Sequence, residues 1–172
     1  PPAGRFIQVV TGGESRRSCG LTEAGRITCW GIDAEAVYAA EDPEYAEYLL
    51  GSGPPKGRFT AMSFDGYAGC GVRTDGRILC WGEGSPRAPK GTYTDVTMFV
   101  DDSVVCGLCT DGRIVCAEGD EEDGTSPPKG TFAKLAGRCG ITIEGEVRCP
   151  DGQTFGTAGE RFSDVSGRCG LQ

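Results

Sequence analysis

CGVRTDGRILC, residues Cys70–Cys80, is the stretch on which the fold turns. It opens Cys-Gly-aliphatic and closes on a second Cys, with a Gly-bearing turn between. The same pattern returns as CGLTEAGRITC at Cys19–Cys29, CGLCTDGRIVC at Cys106–Cys116 and CGITIEGEVRC at Cys139–Cys149. A fifth copy starts at Cys169 as CGLQ. A second signature precedes each copy: PPAGRF, PPKGRF, APKGTY, PPKGTF and a weaker TAGERF. Its aromatic is Phe6, Phe59, Tyr93, Phe132 or Phe162, followed three residues later by Val9, Met62, Val96, Leu135 or Val165. Two signatures recurring in the same order make the chain a tandem repeat.

Each Cys-bounded segment predicts a β-hairpin. Gly25, Gly76, Gly112 and Gly145 sit at the turns, where a left-handed backbone favours glycine. The cysteines choose the loop. A two-residue loop at Ala24-Gly25 would set Cys19 and Cys29 on opposite faces. A three-residue loop, Glu23-Ala24-Gly25, pairs Thr22 with Arg26, Leu21 with Ile27 and Cys19 with Cys29, so both sulfurs meet on one face. The same count pairs Val72 with Ile78, Leu108 with Ile114 and Ile141 with Val147. One face of every hairpin then carries two aliphatics and a cystine, and a slip of one residue would expose all of them. That face is expected to be buried between repeats.

Zinc is the competing reading of the cysteines. Structural zinc sites usually pair Cys two to four residues apart, and only Cys106 and Cys109 come close. Disulfides are therefore expected at Cys19–Cys29, Cys70–Cys80, Cys106–Cys116 and Cys139–Cys149, with no metal and no cofactor. Cys109 and Cys169 fall outside the pairs as candidates for free or intermolecular thiols. They could bond to each other, to another subunit, or, for Cys169, to a cysteine about ten residues beyond Gln172, matching the other copies. Disulfides imply a secreted, periplasmic or cell-surface setting.

These residues resemble the regulator-of-chromosome-condensation type repeat in its cysteine-bearing secreted form. PPAGRF…CGLTEAGRITCWG (Pro1–Gly31) and PPKGRF…CGVRTDGRILCWG (Pro54–Gly82) carry the likeness best, including Cys-Trp-Gly after the hairpin. The third and fourth copies depart from it with Cys116-Ala117-Glu118 and Cys149-Pro150-Asp151. The resemblance implies an all-β fold, a β-propeller or part of one, and a role as a protein-binding platform. Its members include a nuclear exchange factor, secreted receptors and a β-lactamase inhibitor. They commonly have about seven blades, within the usual range for propellers. Here the aromatics are spaced by 53, 34, 39 and 30 residues, which is too little chain for that number. The expected repeats are about 1–53, 54–87, 88–126 and 127–156, with a partial fifth at 157–172, together one repeat domain. Three readings stay open: a segment of a longer chain, a small or open propeller, or closure through another copy.

The totals narrow the function. The 172 residues carry a net charge of −8, which disfavours a nucleic-acid partner. No apolar run approaches the ~18 residues of a membrane span. The start at Pro1 without a Met is expected of a processed or excised product. There is no histidine, so the commonest general base and metal ligand is missing. No nucleophile–base pair or carboxylate pair stands out by motif, and the glycines lie in hairpin turns rather than before helices. Trp30 and Trp81 repeat with the structural signature and read as packing between blades rather than as a sugar platform.

Two segments break the repeat at the same place, just after a hairpin. Residues 32–53 form an acidic insertion expected to be partly helical, with Asp42 as cap, Pro43 in the first turn and Gly51 at the end. It carries Asp33, Glu35, Glu41, Asp42, Glu44 and Glu47 with Tyr38, Tyr45 and Tyr48, and no basic residue. EGDEED (Glu118–Asp123) is the second. It lacks the ligand order of a calcium loop. Such segments are often merely solvated; on a rigid scaffold they also make recognition loops for a basic protein or cell-surface partner. The favoured reading is a non-enzymatic extracellular binding or adhesive propeller. The alternatives are an enzyme-inhibitor propeller and a structural subunit of an extracellular assembly or filament, joined to other copies of itself or to the rest of a longer chain.

Overall fold

A computed structural model of the chain describes residues 2–12, 17–31, 53–82, 86–99, 104–117, 127–150, 152, 154–155, 160–166 and 169–171. The acidic insertion at 32–53, apart from Gly53, and Glu118–Asp123 lie outside the described residues. The rest is all β, with no helix among the described residues.

Among the described residues, fifteen strands form five antiparallel sheets in chain order. The first sheet holds β1 (Phe6–Gly12), β2 (Arg17–Thr22) and β3 (Ile27–Gly31). The second holds β4 (Phe59–Phe64), β5 (Ala68–Arg73) and β6 (Ile78–Gly82). The third holds β7 (Tyr93–Phe99), β8 (Val104–Cys109) and β9 (Ile114–Cys116). The fourth has β10 (Lys134–Ala136), β11 (Cys139–Ile141), β12 (Val147–Arg148) and β13 (Thr154–Phe155). The fifth has β14 (Asp164–Ser166) and β15 (Cys169–Leu171). In the first four sheets the Cys-bounded hairpin forms the second and third strands, and the aromatic signature leads into the first.

The hairpin register follows from the cysteine count. Cys19 faces Cys29, Cys70 faces Cys80, and Cys106 faces Cys116. The turn closes through Gly25 N–H to Thr22 O at 2.8 Å and Thr22 N–H to Arg26 O at 2.9 Å, and the other three hairpins repeat both bonds. Gly25, Gly76, Gly112 and Gly145 have φ of 78°, 82°, 80° and 83°, the left-handed conformation that the loop requires. Four disulfides join Cys19–Cys29, Cys70–Cys80, Cys106–Cys116 and Cys139–Cys149, with Cα–Cα distances of 4.0, 4.0, 3.9 and 4.1 Å.

The core lies between sheets. Cys19 and Leu21 of the first sheet pack with Phe59, Met62 and Phe64 of the second. Cys70, Val72 and Ile78 of the second meet Tyr93, Val96 and Met98 of the third. Cys106, Leu108 and Ile114 then meet Phe132 and Leu135, and Ile141 and Val147 meet Phe162. So the cystine face of each sheet is covered by the aromatic face of the next. The aromatic also lies across its own sheet. A Cβ on Gly71 would sit 2.7 Å from Phe59 Cδ1, and Gly20, Gly107 and Gly140 are closed in the same way by Phe6, Tyr93 and Phe132. The Gly after each first cysteine is therefore the seat of the ring. Phe59, Tyr93 and Phe132 are wedges, each resting on that Gly and pressing on the preceding cystine.

Hydrogen bonds repeat the same joint. The turn carbonyls of Gly25, Gly76, Gly112 and Gly145 accept the N–H groups of Phe59, Tyr93, Phe132 and Phe162 at 2.7, 2.8, 2.8 and 2.9 Å. Every turn thus holds the first strand of the next sheet. Trp81 is buried over Gly69 of its own sheet, while Trp30, its counterpart, is half-buried and lies 5.3 Å from Phe6 between ring centroids.

Candidate functional site

The first strands of all five sheets contribute to the wall of one cavity of about 860 Å³. That places them innermost, as the blades of a propeller place theirs. Position in the repeat decides what faces the cavity. The residue after each aromatic, Ile7, Thr60, Thr94, Ala133 or Ser163, is exposed, and in the first three sheets the register shifts there by one residue. Thr60 and Thr94 use their hydroxyls to reach the carbonyls of Val72 and Leu108, at 3.4 and 3.2 Å.

At the next position, occupied by Gln8, Ala61, Asp95, Lys134 and Asp164, the four polar side chains tie neighbouring blades together. Gln8 Nε2 donates to Met62 O at 2.7 Å, and its Oε1 accepts Met62 N–H at 3.0 Å. Asp95 does part of the same work one interface along: its Oδ2 accepts Leu135 N–H at 3.4 Å while Oδ1 accepts Val96 N–H at 2.9 Å. Lys134 Nζ and Asp164 Oδ2 form an ion pair at 2.7 Å. Ser63 Oγ adds a bond from Met98 N–H at 3.2 Å. Burial pushes the Asp95 carboxyl above its usual value. The Val96 and Leu135 N–H groups and the Lys134 ammonium pull the other way, and Asp164 adds to the upward push. The cavity wall thus carries two carboxylates and one ammonium, all engaged in holding blades. This belt has no sequence motif, because one repeat position is filled by five side chains of which four are chemically unlike.

The residues singled out by sequence are placed as follows. The eight paired cysteines are structural; in the first three sheets Cys19, Cys70 and Cys106 lie within the inter-blade clusters, and Cys29, Cys80 and Cys116 pack against them. Cys109 carries a free thiol, half-buried on the face away from its sheet's cystine. Burial and the nearby Asp111 raise its pKa, with Arg113 opposing, so the thiolate is disfavoured and the group is a poor nucleophile. For Cys169 the structure describes only the backbone, in β15. Asp33, Glu35, Tyr38, Glu41, Asp42, Glu44, Tyr45, Glu47 and Tyr48 lie outside the described residues, so the structure does not bring them together or apart. The chain enters that insertion from Gly31 at the end of β3, and enters Glu118–Asp123 from Ala117, just after β9. Both segments therefore lie in one kind of connection, from the outer strand of a sheet to the inner strand of the next. Among the described residues no group of three or more His, Cys, Asp or Glu side chains could hold a metal ion.

No protein-family model matches the chain, and no curated protein matches it. Solved structures do. The entire ectodomain of the Physcomitrella patens receptor kinase CR4 aligns over 96% of this chain and 47% of its own, at 20% identity and a TM-score of 0.63. The fold is that of an arc of β-propeller blades. The CRINKLY WD40 ectodomain of the Arabidopsis thaliana receptor kinase ACR4 aligns over 67% of this chain and 37% of its own, at 24% identity and a TM-score of 0.47. The chain spans less than half the length of either ectodomain.

Proposed function

We propose that this chain is a non-enzymatic extracellular binding or adhesive module of the cysteine-bearing regulator-of-chromosome-condensation type, and that it recognises a basic protein or cell-surface partner through the insertion at residues 32–53. The observation that carries the reading is the shared placement of the two segments that break the repeat. Both follow the outer strand of a cystine-stapled sheet, so a rigid scaffold presents them from equivalent positions. Loops so placed commonly carry recognition. Six carboxylates without a basic residue supply charge for a basic partner, and three tyrosines supply amphipathic contact area. The cystines suit a secreted, periplasmic or cell-surface setting, as does the likeness to two receptor-kinase ectodomains.

The test is capture from the protein's own extracellular milieu, comparing the full chain with one in which residues 32–52 are replaced by a short Gly-Ser linker. The reading expects loss of the captured partner with an unchanged melting temperature. Equal capture by both chains would return the insertion to a solvated loop.

A further inference from the structure

Charge is distributed unevenly along the strands. The first strand of a sheet starts beside that sheet's own hairpin turn: Phe59 pairs with Arg73, Tyr93 pairs with Cys109, and Thr74 N–H reaches Arg58 O at 3.0 Å. Turns and lead-in segments therefore share one rim, at the opposite ends of the strands from Gly31 and Ala117. Lys56, Lys90 and Lys129 each stand on this rim three residues before the aromatic of a sheet, and Arg58 stands one before. Arg26 and Arg77 follow the turn glycines. All six are exposed. The carboxylates of the first three turns are each matched to a different cation: Glu23 to Arg5 at 3.3 Å, Asp75 to Arg73 at 3.9 Å and Asp111 to Arg113 at 2.8 Å. Among the described residues the six cations form no ion pair, so the rim carries a surplus of positive charge on a chain whose net charge is −8.

We infer that this rim binds a linear anionic polysaccharide laid along the row of sheets. The row is held in place by the fold. Gly25 O and Gly76 O accept the first N–H of the next sheet, Arg58 Nε donates to Ala24 O at 3.2 Å, and Tyr93 Oη donates to Lys90 O at 2.9 Å. One lysine per lead-in of the second, third and fourth sheets makes a charge repeat that a polymer with regularly spaced anionic groups follows. A protein partner fits this rim less well. Protein hot spots are built on aromatic and other large anchors, and among the described residues no turn or lead-in of the first three sheets exposes a large apolar side chain. The net negative charge does not oppose contact. It is screened beyond about 8 Å at physiological ionic strength, so a polymer on the rim responds to the cations beneath it. This inference does not rest on the insertion at residues 32–53.

Calorimetric titration of the full chain with heparin, polygalacturonate, neutral dextran and a DNA duplex tests it. Heparin offers sulfates and carboxylates, and polygalacturonate offers carboxylates alone. Binding to heparin or to both anionic glycans, weakening as salt rises, is expected, with none to dextran; the polygalacturonate arm shows whether carboxylates suffice. Lys56→Gln/Lys90→Gln should lower the affinity roughly tenfold and flatten its salt dependence, because fewer counterions are released. Arg17→Gln/Arg138→Gln removes the same charge from the other ends of the strands and should leave the affinity nearly unchanged. Lys56 and Lys90 are exposed, so their double variant should keep the wild-type melting temperature. If it does not, Arg26→Gln/Arg77→Gln is the second variant of the row and carries the same expectation. A chain that binds neither anionic glycan would overturn the inference. So would binding to dextran as tight as to the anionic glycans, or equal losses in the row and far-end variants. A DNA duplex held as tightly as the better glycan would overturn it in favour of a nucleic-acid rim.

Discussion

Phe59 and Phe6 occupy the same place in successive repeats and end in different surroundings. Both rings rest on a glycine of their own sheet, Gly71 for Phe59 and Gly20 for Phe6. Phe59 is pressed from the other side by Leu21 and the Cys19–Cys29 cystine, whereas Phe6 lies beside Trp30 and stays half-buried. The difference separates what a sheet does for itself from what its neighbour does for it. A single sheet seats the ring, but the cystine face of the preceding sheet dries it. Stability in this molecule is therefore a property of joints between blades, as expected of a repeat array that stacks units too thin to bury a core alone.

Truncating the two rings should show this most strongly. Phe59→Ala should cost about 3–5 kcal/mol, the usual range for a buried aromatic. Phe6→Ala should cost clearly less, because more of its surface stays in contact with water. Denaturant melts of the two variants at dilute concentration check it. Equal losses would mean that the ring's own sheet, and not the joint, supplies the energy.

A smaller effect is expected from the cystines. Replacing Cys70 and Cys80 together by Ala should lower stability by about 2–3 kcal/mol, the entropic value for so short a loop. Removing the Cys139–Cys149 bridge should cost a similar amount by that model, although Cys139 and Cys149 border their cluster rather than lying within it. If the Cys70/Cys80 double variant loses clearly more, the excess measures packing of the sulfurs against Tyr93 and Val96 rather than loop closure. Thermal melts of both double variants separate the two contributions.

The smallest contrast is between two carboxylates with opposite surroundings. Burial raises Asp95 above its ordinary value, whereas the N–H and guanidinium of Arg113 hold the exposed Asp111 below its own. For Asp95 the folded pKa exceeds the unfolded one of about 3.9. Its contribution is fully present below that unfolded value and is lost as pH rises through the raised folded value. Asp111 runs the other way: its contribution is present above its unfolded value and is lost as pH falls through the lowered folded value. Melting temperatures of Asp95→Asn relative to wild type should therefore drift in the variant's favour as pH rises from the acid side. Those of Asp111→Asn should drift against it. A pH-independent gap for Asp95→Asn would mean that the cavity wall is wetter than its burial implies.

Much of this arrangement was legible in the sequence because two constraints act on the same few residues. A turn glycine and two cysteines ten residues apart leave one loop length that brings the sulfurs to one face, and with it the side on which Leu21, Val72, Leu108 and Ile141 lie. The glycine after each first cysteine was visible as a repeat but not as a seat. Its reason appears only once the first strand has joined the hairpin and laid its ring there. The belt around the cavity was not legible at all. Gln8 and Asp95 meet the next blade's backbone with different chemistry, and Lys134 and Asp164 meet each other, so even the Asp that recurs at 95 and 164 marks no common role.

The pairing of the cysteines underlies each of these comparisons, because it decides which face of every sheet carries sulfur and aliphatics. Peptide mapping under non-reducing conditions measures it directly. The account expects Cys19–Cys29, Cys70–Cys80, Cys106–Cys116 and Cys139–Cys149 as four separate linked peptides, with Cys109 recovered as an unlinked thiol. A linked peptide joining cysteines of different repeats, such as Cys29 with Cys70, would contradict the hairpin register and the joints built on it.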